Sequence, residues 1–252
     1  MLLLGDCLEL LPDLPDKSVD LVFCDLPYGQ TNCKWDCKID LNKLWIELMR
    51  VKKEKTPLFF TTTTKFGVEL IQSAPKKCPF RYDIVWMKSH KAGFFRSKFQ
   101  PLRAHEMVYV FYERMPIYNI ETYHKNKFVS NSLISVPKES NPSIYNNTNK
   151  TETPLTKHPV SAFGKSTGQP RYDPPLPDSI LKINSTRGKH PTEKPVALME
   201  WIIKYFSKEN DLVLDPTMGS GSTGVACKNL NRKFIGMELD EEHYQVANQR
   251  IE

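Results

Sequence analysis

The sequence of 252 residues contains no apolar run near the roughly 20 residues that a membrane-spanning helix needs, and its mean hydropathy is -0.46. It has only 6 cysteines, which are too dispersed for a disulfide framework, so a reducing compartment is the simpler interpretation. Apolar residues are not scarce, because 40% of the chain is hydrophobic. With 25% charged residues, the composition is that of soluble globular proteins. These features exclude a membrane protein, a secreted miniprotein and a disordered tail.

Positive charge is concentrated in one segment of the chain. Residues 88–189 contain 16 Lys and Arg against 7 Asp and Glu, a balance of +9, whereas the remainder has 19 against 22, a balance of −3. Such a segment is expected of a surface that meets a polyanion. A solvated basic face is the alternative that charge alone leaves open.

Short apolar runs alternate with amphipathic segments in the first and last thirds of the chain. Asp40 is expected to cap one helix, Pro195 suits the first position of another, and 222–230 and 241–251 are two more helical segments. This alternation predicts an α/β fold with a mostly parallel sheet. The candidate strands are Leu2–Leu4, Leu21–Cys24, Leu58–Thr61, Ile84–Trp86, Val108–Phe111, Leu212–Leu214 and Phe234–Gly236.

The middle of the chain differs in composition. Residues 119–188 are rich in Asn, Ser, Thr, Pro and Lys and show no sustained period. A connection of this length is uncommon in a compact domain unless it is functional or disordered. The sequence therefore predicts a first part of a core over 1–118, an insertion over 119–188 and a second part of the core over 189–252.

A glycine-rich loop follows the predicted strand at 212–214. Gly219, Gly221 and Gly224 fit G-x-G-x-x-G, and Glu238 follows at the end of the next strand, where an acid would bind ribose hydroxyls. Asp215, just before Pro216, would repel a diphosphate but attract an ammonium group. S-adenosylmethionine, an adenosine joined to an amino acid without phosphate, matches these groups; a capped helix start after an Asp-Pro turn is the alternative.

A second loop ends the predicted strand at 21–24. Asp25, Leu26, Pro27 and Tyr28 come at the carboxyl end of this strand, where parallel sheets bind ligands. Pro27 restricts the backbone so that the Leu26 carbonyl and the Asp25 carboxylate can converge on one pair of donors, with the flat ring of Tyr28 beside them. An exocyclic nucleobase amine matches this set, and an Asx turn with a packed tyrosine is the alternative.

The two loops and their order resemble the DNA amino-methyltransferases, whose catalytic signature is Asp/Asn/Ser-Pro-Pro-Tyr/Phe. Asp25-Leu26-Pro27-Tyr28 departs from it only at Leu26, and the family uses the carbonyl of that residue. The catalytic loop precedes the insertion and the glycine-rich loop follows it, as in the beta group, and His190–Pro195 matches the segment that leads into the helix beside the cofactor. The resemblance covers the chain except for about 120–185. It implies a Rossmann-like S-adenosylmethionine-dependent methyltransferase fold, with a mostly parallel seven-stranded sheet and an inserted target-recognition region.

The resemblance also implies the reaction. A methyl group would pass from S-adenosylmethionine to the N6 amine of an adenine flipped out of double-stranded DNA, with Tyr28 stacked on the base. The Asp of this chain favours adenine, because cytosine-N4 enzymes more often carry Ser in place of Asp25. Cytosine-N4 methylation stays open, as do an RNA or protein-glutamine methyltransferase and a nucleic-acid binding module without activity. Cytosine-C5 methylation uses a Pro-Cys pair, which this sequence lacks.

Further residues follow from the resemblance or from local composition. Asp6 and Cys7 resemble the pair that contacts the cofactor's adenine, and Thr192 and Lys194 are candidates for its methionine end. The expected cofactor-binding residues are thus Asp6, Cys7, Thr192, Lys194, Asp215, Pro216, Gly219, Gly221 and Glu238. The pair Cys33 and Cys37 lacks further ligands, so no metal is expected.

DNA contacts are expected at 88–103 and within the insertion. Basic residues at 88–103 would neutralise phosphates, and one of the interleaved aromatics Phe94, Phe95 and Phe99 could fill the gap left by the flipped base; packing in the core is the alternative for these rings. The expected DNA-binding residues are Lys88, Lys91, Arg96, Lys98, Arg103, Gln169 and Arg171. Double-stranded DNA is the expected partner, without a membrane, and a homodimer and a cognate restriction endonuclease stay open. The expected location is the cytoplasm, of a bacterium or of the host of a virus.

Overall fold

The computed structural model describes residues 1–28, 38–127, 171–186 and 193–252 of the chain. The strands are β1 Leu2–Leu4, β2 Leu21–Cys24, β3 Leu58–Thr62, β4 Phe80–Ala92, β5 Arg103–Phe111, β6 Lys125–Lys127, β7 Arg171–Asp173, β8 Ile180–Lys182, β9 Leu212–Asp215 and β10 Lys233–Glu238. The α-helices are α1 Cys7–Leu10, α2 Leu41–Val51, α3 Thr64–Ser73, α4 Ile120–Tyr123, α5 Val196–Phe206, α6 Ser222–Asn229 and α7 Glu241–Ile251. Two 3₁₀ helices span Leu11–Asp13 and Phe94–Arg96.

Eight of these strands form one sheet in the order β1-β10-β9-β2-β3-β5-β4-β8. All neighbours pair in parallel except those of β5, which is antiparallel to both β3 and β4. The predicted α/β fold with a mostly parallel sheet is confirmed, and each of the seven predicted strand segments lies within a strand of this sheet. The eighth strand, β8, comes from the segment predicted as insertion, because only its middle residue is buried and the surrounding sequence is polar and rich in proline.

The chain divides into two compact units. One comprises Met1–Ile120 and Pro177–Glu252 and contains the eight-stranded sheet; the other is Glu121–Leu176. In the second unit β6 and β7 pair antiparallel, and a ring nitrogen of His124 lies 2.7 Å from the Pro174 carbonyl oxygen. The predicted insertion at 119–188 is longer than this unit, since the segment that carries β8 belongs to the sheet.

The core explains why the strand segments are so apolar. Every residue of β2 and β3 is buried, as expected of central strands that are covered on both faces. Asp40 caps α2 as predicted, since its Oδ1 accepts hydrogen bonds from the backbone N–H groups of Asn42 at 3.0 Å and Lys43 at 3.2 Å. None of the helices in the described ranges is long and apolar enough to cross a membrane.

Two residues of α2 test this packing. Leu48 is fully buried and Ile46 is 66% exposed. Leu48→Ala is expected to lower the free energy of unfolding by about 2–5 kcal/mol, because it leaves a cavity in the core. Ile46→Ala should change it by no more than about 0.5 kcal/mol. Urea unfolding followed by circular dichroism measures both, and equal effects would contradict the described orientation of α2.

Candidate active site

One edge of the sheet collects acidic residues from four neighbouring strands. β1, β10, β9 and β2 lie side by side and run parallel, so their carboxyl ends meet at the same edge. In this order the strands end at or just before Asp6, Glu238, Asp215 and Asp25. The glycine-rich loop after β9 and the loop after β2 therefore open on the same side.

The glycines of the loop after β9 have different physical roles. Gly219 has a φ of 53° and Gly221 a φ of 81°, in the left-handed region that favours glycine. A Cβ at Gly219 would meet nothing within 4 Å, so this backbone stays open to a ligand. A Cβ at Gly224 would overlap the Ile251 side chain, so Gly224 permits the close approach of α6 to α7.

Two acids hold the glycine-rich loop in place. The carboxylate of Asp215 accepts hydrogen bonds from the Thr217 backbone N–H at 3.1 Å and from the Thr223 hydroxyl at 2.6 Å. Asp215 is only 2% exposed, and this burial raises its pKa to about 7 in spite of the two hydrogen bonds. Glu238 accepts a hydrogen bond from the Gly219 backbone N–H at 2.8 Å and so connects the end of β10 to the loop.

The loop after β2 presents Asp25 at the tip of a buried strand. Its Oδ1 accepts hydrogen bonds from the Tyr28 hydroxyl at 3.2 Å and from the Thr61 hydroxyl at the end of β3. Leu26 is 3% exposed and packs in the core, so its side chain is not available to a ligand. A leucine can therefore replace proline here without removing the carbonyl acceptor.

Lys194 lies beside Asp25, which the sequence did not predict. Its Nζ donates to Asp25 Oδ2 at 2.6 Å and lies 3.6 Å from Glu106 Oε2. Burial by itself lowers the pKa of Lys194, but the negative charges of Asp25 and Glu106 outweigh this effect and raise it above its usual range. Lys194 is predicted at the methionine end of the cofactor, and in the structure its ammonium lies on the candidate catalytic carboxylate.

A small pocket lies between the two loops. Asp25, Asp215 and Lys194 line it. The other lining residues include Gly219 and Ser222 of the glycine-rich loop. Glu193 also lines it, and its Oε1 accepts a hydrogen bond from Arg250 at 2.7 Å. A larger cavity of about 290 Å³ lies at the opposite edge of the sheet near the start of β4, but it is lined mostly by aromatic and apolar residues. The groups that can do chemistry therefore converge on the smaller pocket.

The β4–β5 hairpin carries the predicted DNA-binding residues at its tip. Phe94, Phe95 and Phe99 are 66%, 105% and 88% exposed, so these rings do not pack in the core. Lys91, Arg96 and Lys98 are exposed among them, and Arg103 is half-buried at the start of β5.

Lys88 is predicted to bind a DNA phosphate, but in the structure its ammonium already has a partner. Its ammonium pairs with Glu106 and lies 5.2 Å from the centre of the Trp86 ring. Glu106 had not been predicted, because a single acid inside a strand gives no sequence signal. Thr61 was also missed, although the four consecutive threonines at 61–64, at the end of a buried strand, could have indicated a polar strand tip.

The remaining candidates are placed as follows. Asp6 caps α1, with its Oδ1 2.8 Å from the Leu8 backbone nitrogen. The Cys7 side chain packs in the core, and burial raises the pKa of its thiol to about 12. Among the residues that the structure describes, no cluster of potential metal ligands was found. Cys33, Cys37, Gln169 and Thr192 lie outside the described residues, as does the side chain of Arg171 on β7.

The fold and the two loops define the class of S-adenosylmethionine-dependent methyltransferases. The chain belongs to the DNA methylase family of N6-adenine and N4-cytosine methyltransferases, whose model matches residues 19–249. Its two loops occur in the order of the beta group of this family. It is therefore a DNA methyltransferase, and S-adenosylmethionine is its cofactor.

Curated relatives and solved structures agree with this assignment. The chain is 25% identical to the Type II methyltransferase M2.LlaDCHI of Lactococcus lactis subsp. cremoris, over 98% of this chain and 87% of the relative. It is 26% identical to the DNA adenine methyltransferase YhdJ of Escherichia coli strain K12, over 98% and 81%. The fold resembles the crystal structure of the M1.HpyAVI-SAM complex, with a TM-score of 0.62 and 23% identity over 100% and 99% of the two chains. It also resembles the cytosine-N4-specific PvuII DNA methyltransferase, with a TM-score of 0.65 and 17% identity over 100% and 86%.

The raised pKa of Asp215 predicts a pH-dependent stability. Between the ordinary carboxyl pKa of 3.8 and about 7, the folded chain retains a proton on Asp215 that the unfolded chain releases. The wild type is thus expected to lose stability relative to Asp215→Asn as the pH rises through this range, by roughly 4 kcal/mol at pH 8. Urea unfolding of both proteins without cofactor at several pH values measures the difference.

Asp240→Asn provides the matched control. Asp240 is exposed and caps α7, and asparagine caps helices as well as aspartate does. Its stability should follow that of the wild type at each pH. A difference between the wild type and Asp215→Asn that does not vary with pH would contradict the described burial of Asp215.

Proposed function

We propose that the protein transfers the methyl group of S-adenosylmethionine to the N6 amine of adenine in double-stranded DNA. The observation that carries this proposal is the position of Asp25 at a strand tip directly beside the glycine-rich cofactor loop. The Asp25 carboxylate and the Leu26 carbonyl are the two acceptors that the amine requires. The exposed basic hairpin supports a nucleic-acid substrate.

The two acceptors explain how an unreactive amine becomes a nucleophile. The nitrogen lone pair of adenine is delocalised into the ring, and hydrogen bonds from both N–H groups to Asp25 and Leu26 favour a pyramidal nitrogen with a localised pair. When bound, S-adenosylmethionine supplies a methyl group on a sulfonium. The amine that accepts this methyl group would carry a positive charge until one of its N–H protons passes to the Asp25 carboxylate or to water. The Asp25 carboxylate interacts more strongly with this charge than with the neutral amine, which lowers the barrier.

The residues around the glycine-rich loop are suited to hold the cofactor. We assign the ammonium group to Asp215, the ribose hydroxyls to Glu238 and the methionine portion to the open backbone at Gly219. Asp6 and the backbone of Cys7, at the end of the adjacent strand β1, are assigned to the adenine. These positions follow the order of the strands along the sheet edge.

The DNA-binding regions belong to the same proposal. The tip of the β4–β5 hairpin contacts the DNA backbone through Lys91, Arg96 and Lys98, and one exposed phenylalanine occupies the space of the flipped base. The unit Glu121–Leu176, which makes up most of the predicted insertion at 119–188, contains the target-recognition region that reads base edges. The relatives that are named Type II methyltransferases support a role beside a cognate restriction endonuclease in the cytoplasm of a bacterium. A homodimer is part of the proposal as well.

The product and the catalytic acid can be tested together. DNA methylated by the wild type and digested to nucleosides should contain N6-methyladenine without N4-methylcytosine. Asp25→Ala should reduce the turnover by about 10²–10⁴-fold, because the amine loses its charged acceptor. The affinity for S-adenosylmethionine, measured by calorimetry, should stay within about twofold of the wild type.

Asp13→Ala is the control, since Asp13 is exposed on the 3₁₀ helix that precedes β2 and does not line the pocket. It should retain full turnover. N4-methylcytosine as the product would move the assignment to the cytosine branch of the family. Undiminished turnover in Asp25→Ala would remove Asp25 from the reaction.

The hairpin prediction concerns salt dependence. The double variant Arg96→Gln with Lys98→Gln should bind DNA more weakly and reduce the slope of log K against log salt by about 2, because each lost phosphate contact releases about one counterion fewer. Fluorescence anisotropy over a series of salt concentrations measures this slope.

Lys55→Gln with Lys208→Gln is the charge-matched control. Both lysines are exposed and precede strands, which places them at the amino edge of the sheet, away from the catalytic loops. This control should leave the slope unchanged. Equal losses in the two double variants would indicate a general charge effect in place of a hairpin contact.

A further inference from the structure

The Lys194 ammonium lies between two carboxylates that come from different strands. It donates to Asp25 Oδ2 at 2.6 Å and lies 3.6 Å from Glu106 Oε2, and its side chain is only 11% exposed. A cation this far from water needs opposite charges close to it. The two carboxylates therefore determine where the ammonium lies.

Glu106 offers Lys194 an acceptor that is not in use. Its Oε1 pairs with the Lys88 ammonium, whereas its Oε2 is buried and has no hydrogen-bond partner in the described part of the chain. A buried acceptor without a donor is unfavourable. A shift of the Lys194 Nζ by about 1 Å would bring it within hydrogen-bond distance of this oxygen.

Asp25, by contrast, is crowded. The Tyr28 and Thr61 hydroxyls and the Lys194 ammonium occupy three of the roughly four acceptor positions of its carboxylate. An ammonium on Oδ2 leaves this carboxylate little room for a further donor. The same ammonium also offsets the negative charge that should stabilise a methylated, positively charged amine.

We propose that Lys194 and Glu106 are positioning residues for the methyl transfer. Lys194 orients the Asp25 carboxylate before the target amine arrives and moves onto Glu106 Oε2 when that amine binds Asp25. The inference rests on the proposed function, because it requires Asp25 to accept the amine. It replaces the prediction that Lys194 contacts the methionine end of the cofactor.

The other charged groups around this pair are accounted for. Lys88 balances Glu106 from β4, and the phenol of Tyr28 lies on the same side as Asp25. Asp215 faces Asp25 from β9, and its carboxylate accepts hydrogen bonds from the Thr217 N–H and the Thr223 hydroxyl. Glu193, next to Lys194, is paired with Arg250 from α7. Lys194 is thus the cation that contacts Asp25 directly in the described residues.

The test compares turnover with the affinity for S-adenosylmethionine. Lys194→Met should lower kcat by about 10–100-fold, because Asp25 then loses the ammonium that orients it. The cofactor dissociation constant should stay within about twofold of the wild-type value. Lys194→Arg, which keeps the charge, should restore most of the lost turnover, and the exposed Lys208→Met should behave as the wild type.

Glu106→Gln gives a different signature. Lys194 then stays on Asp25 and competes with the target amine, so kcat should fall and the KM for DNA should rise. Adding Glu106→Gln to Lys194→Met should have little further effect, because no ammonium is left to move. Glu106→Gln keeps the proposal testable even if Lys194→Met does not fold.

A crystal structure with DNA and a non-reactive cofactor analogue provides the direct observation. We expect the Lys194 Nζ within about 3.2 Å of Glu106 Oε2 and no longer bonded to Asp25. An ammonium still on Asp25, or multiplicative effects of the two variants on kcat, would overturn the proposed movement. A tenfold weaker cofactor affinity in Lys194→Met would make Lys194 a cofactor ligand. The proposed function fails separately, if the wild type forms no N6-methyladenine or Asp25→Ala is fully active.

Discussion

The parallel pairing of β2 with β9 is the constraint on which the site depends. The register that aligns Leu21 with Val213 and Val22 with Leu214 brings the ends of both strands to the same edge. Asp25 and Asp215 come from positions 190 residues apart in the chain, yet they line one pocket. Had the two strands been antiparallel, the loops would lie at opposite edges and a methyl donor on one could not reach an amine on the other.

This arrangement collects negative charge where a cation must react. Four consecutive parallel strands end at or just before an acid, in the order Asp6, Glu238, Asp215 and Asp25. This edge is therefore suited to bind a sulfonium and an ammonium group. It is unsuited to a diphosphate. Like charges so close together repel one another and lower the stability of the fold. Two features of the site reduce this repulsion. Burial raises the pKa of Asp215 to about 7, and Asp25 is paired with Lys194 at 2.6 Å. The stability of the fold and the chemistry of the site are therefore in conflict at these residues, as is common at functional sites.

Much of the sheet and both loops could be predicted from local pattern. The central strands are buried on both faces, so their apolar runs are unambiguous, and the acids and glycines that follow them stand out against these runs. β8 could not be predicted, because only its middle residue is buried and it lies in a polar, proline-rich stretch without an apolar run. The length of the predicted insertion differs from that of the compact unit Glu121–Leu176 for the same reason.

The side-chain partners were beyond the reach of the sequence. Lys194, Glu106 and Lys88 belong to three separate segments, and nothing local indicates that a lysine before α5 would pair with the acid after β2. The sequence also did not determine whether Phe94 and Phe95 are buried or exposed. An aromatic residue in a hairpin packs inward or outward depending on which other segments cover it.

The sequence by itself determined the α/β class, seven of the strand segments and the chemical character of the two loops, because each follows from residues that are neighbours along the chain. Tertiary structure alone decided that these loops share an edge, which cation pairs with Asp25, and which basic residues of the hairpin stay in water. These features depend on distances between segments far apart in sequence, and such distances are set by the packing of the whole sheet.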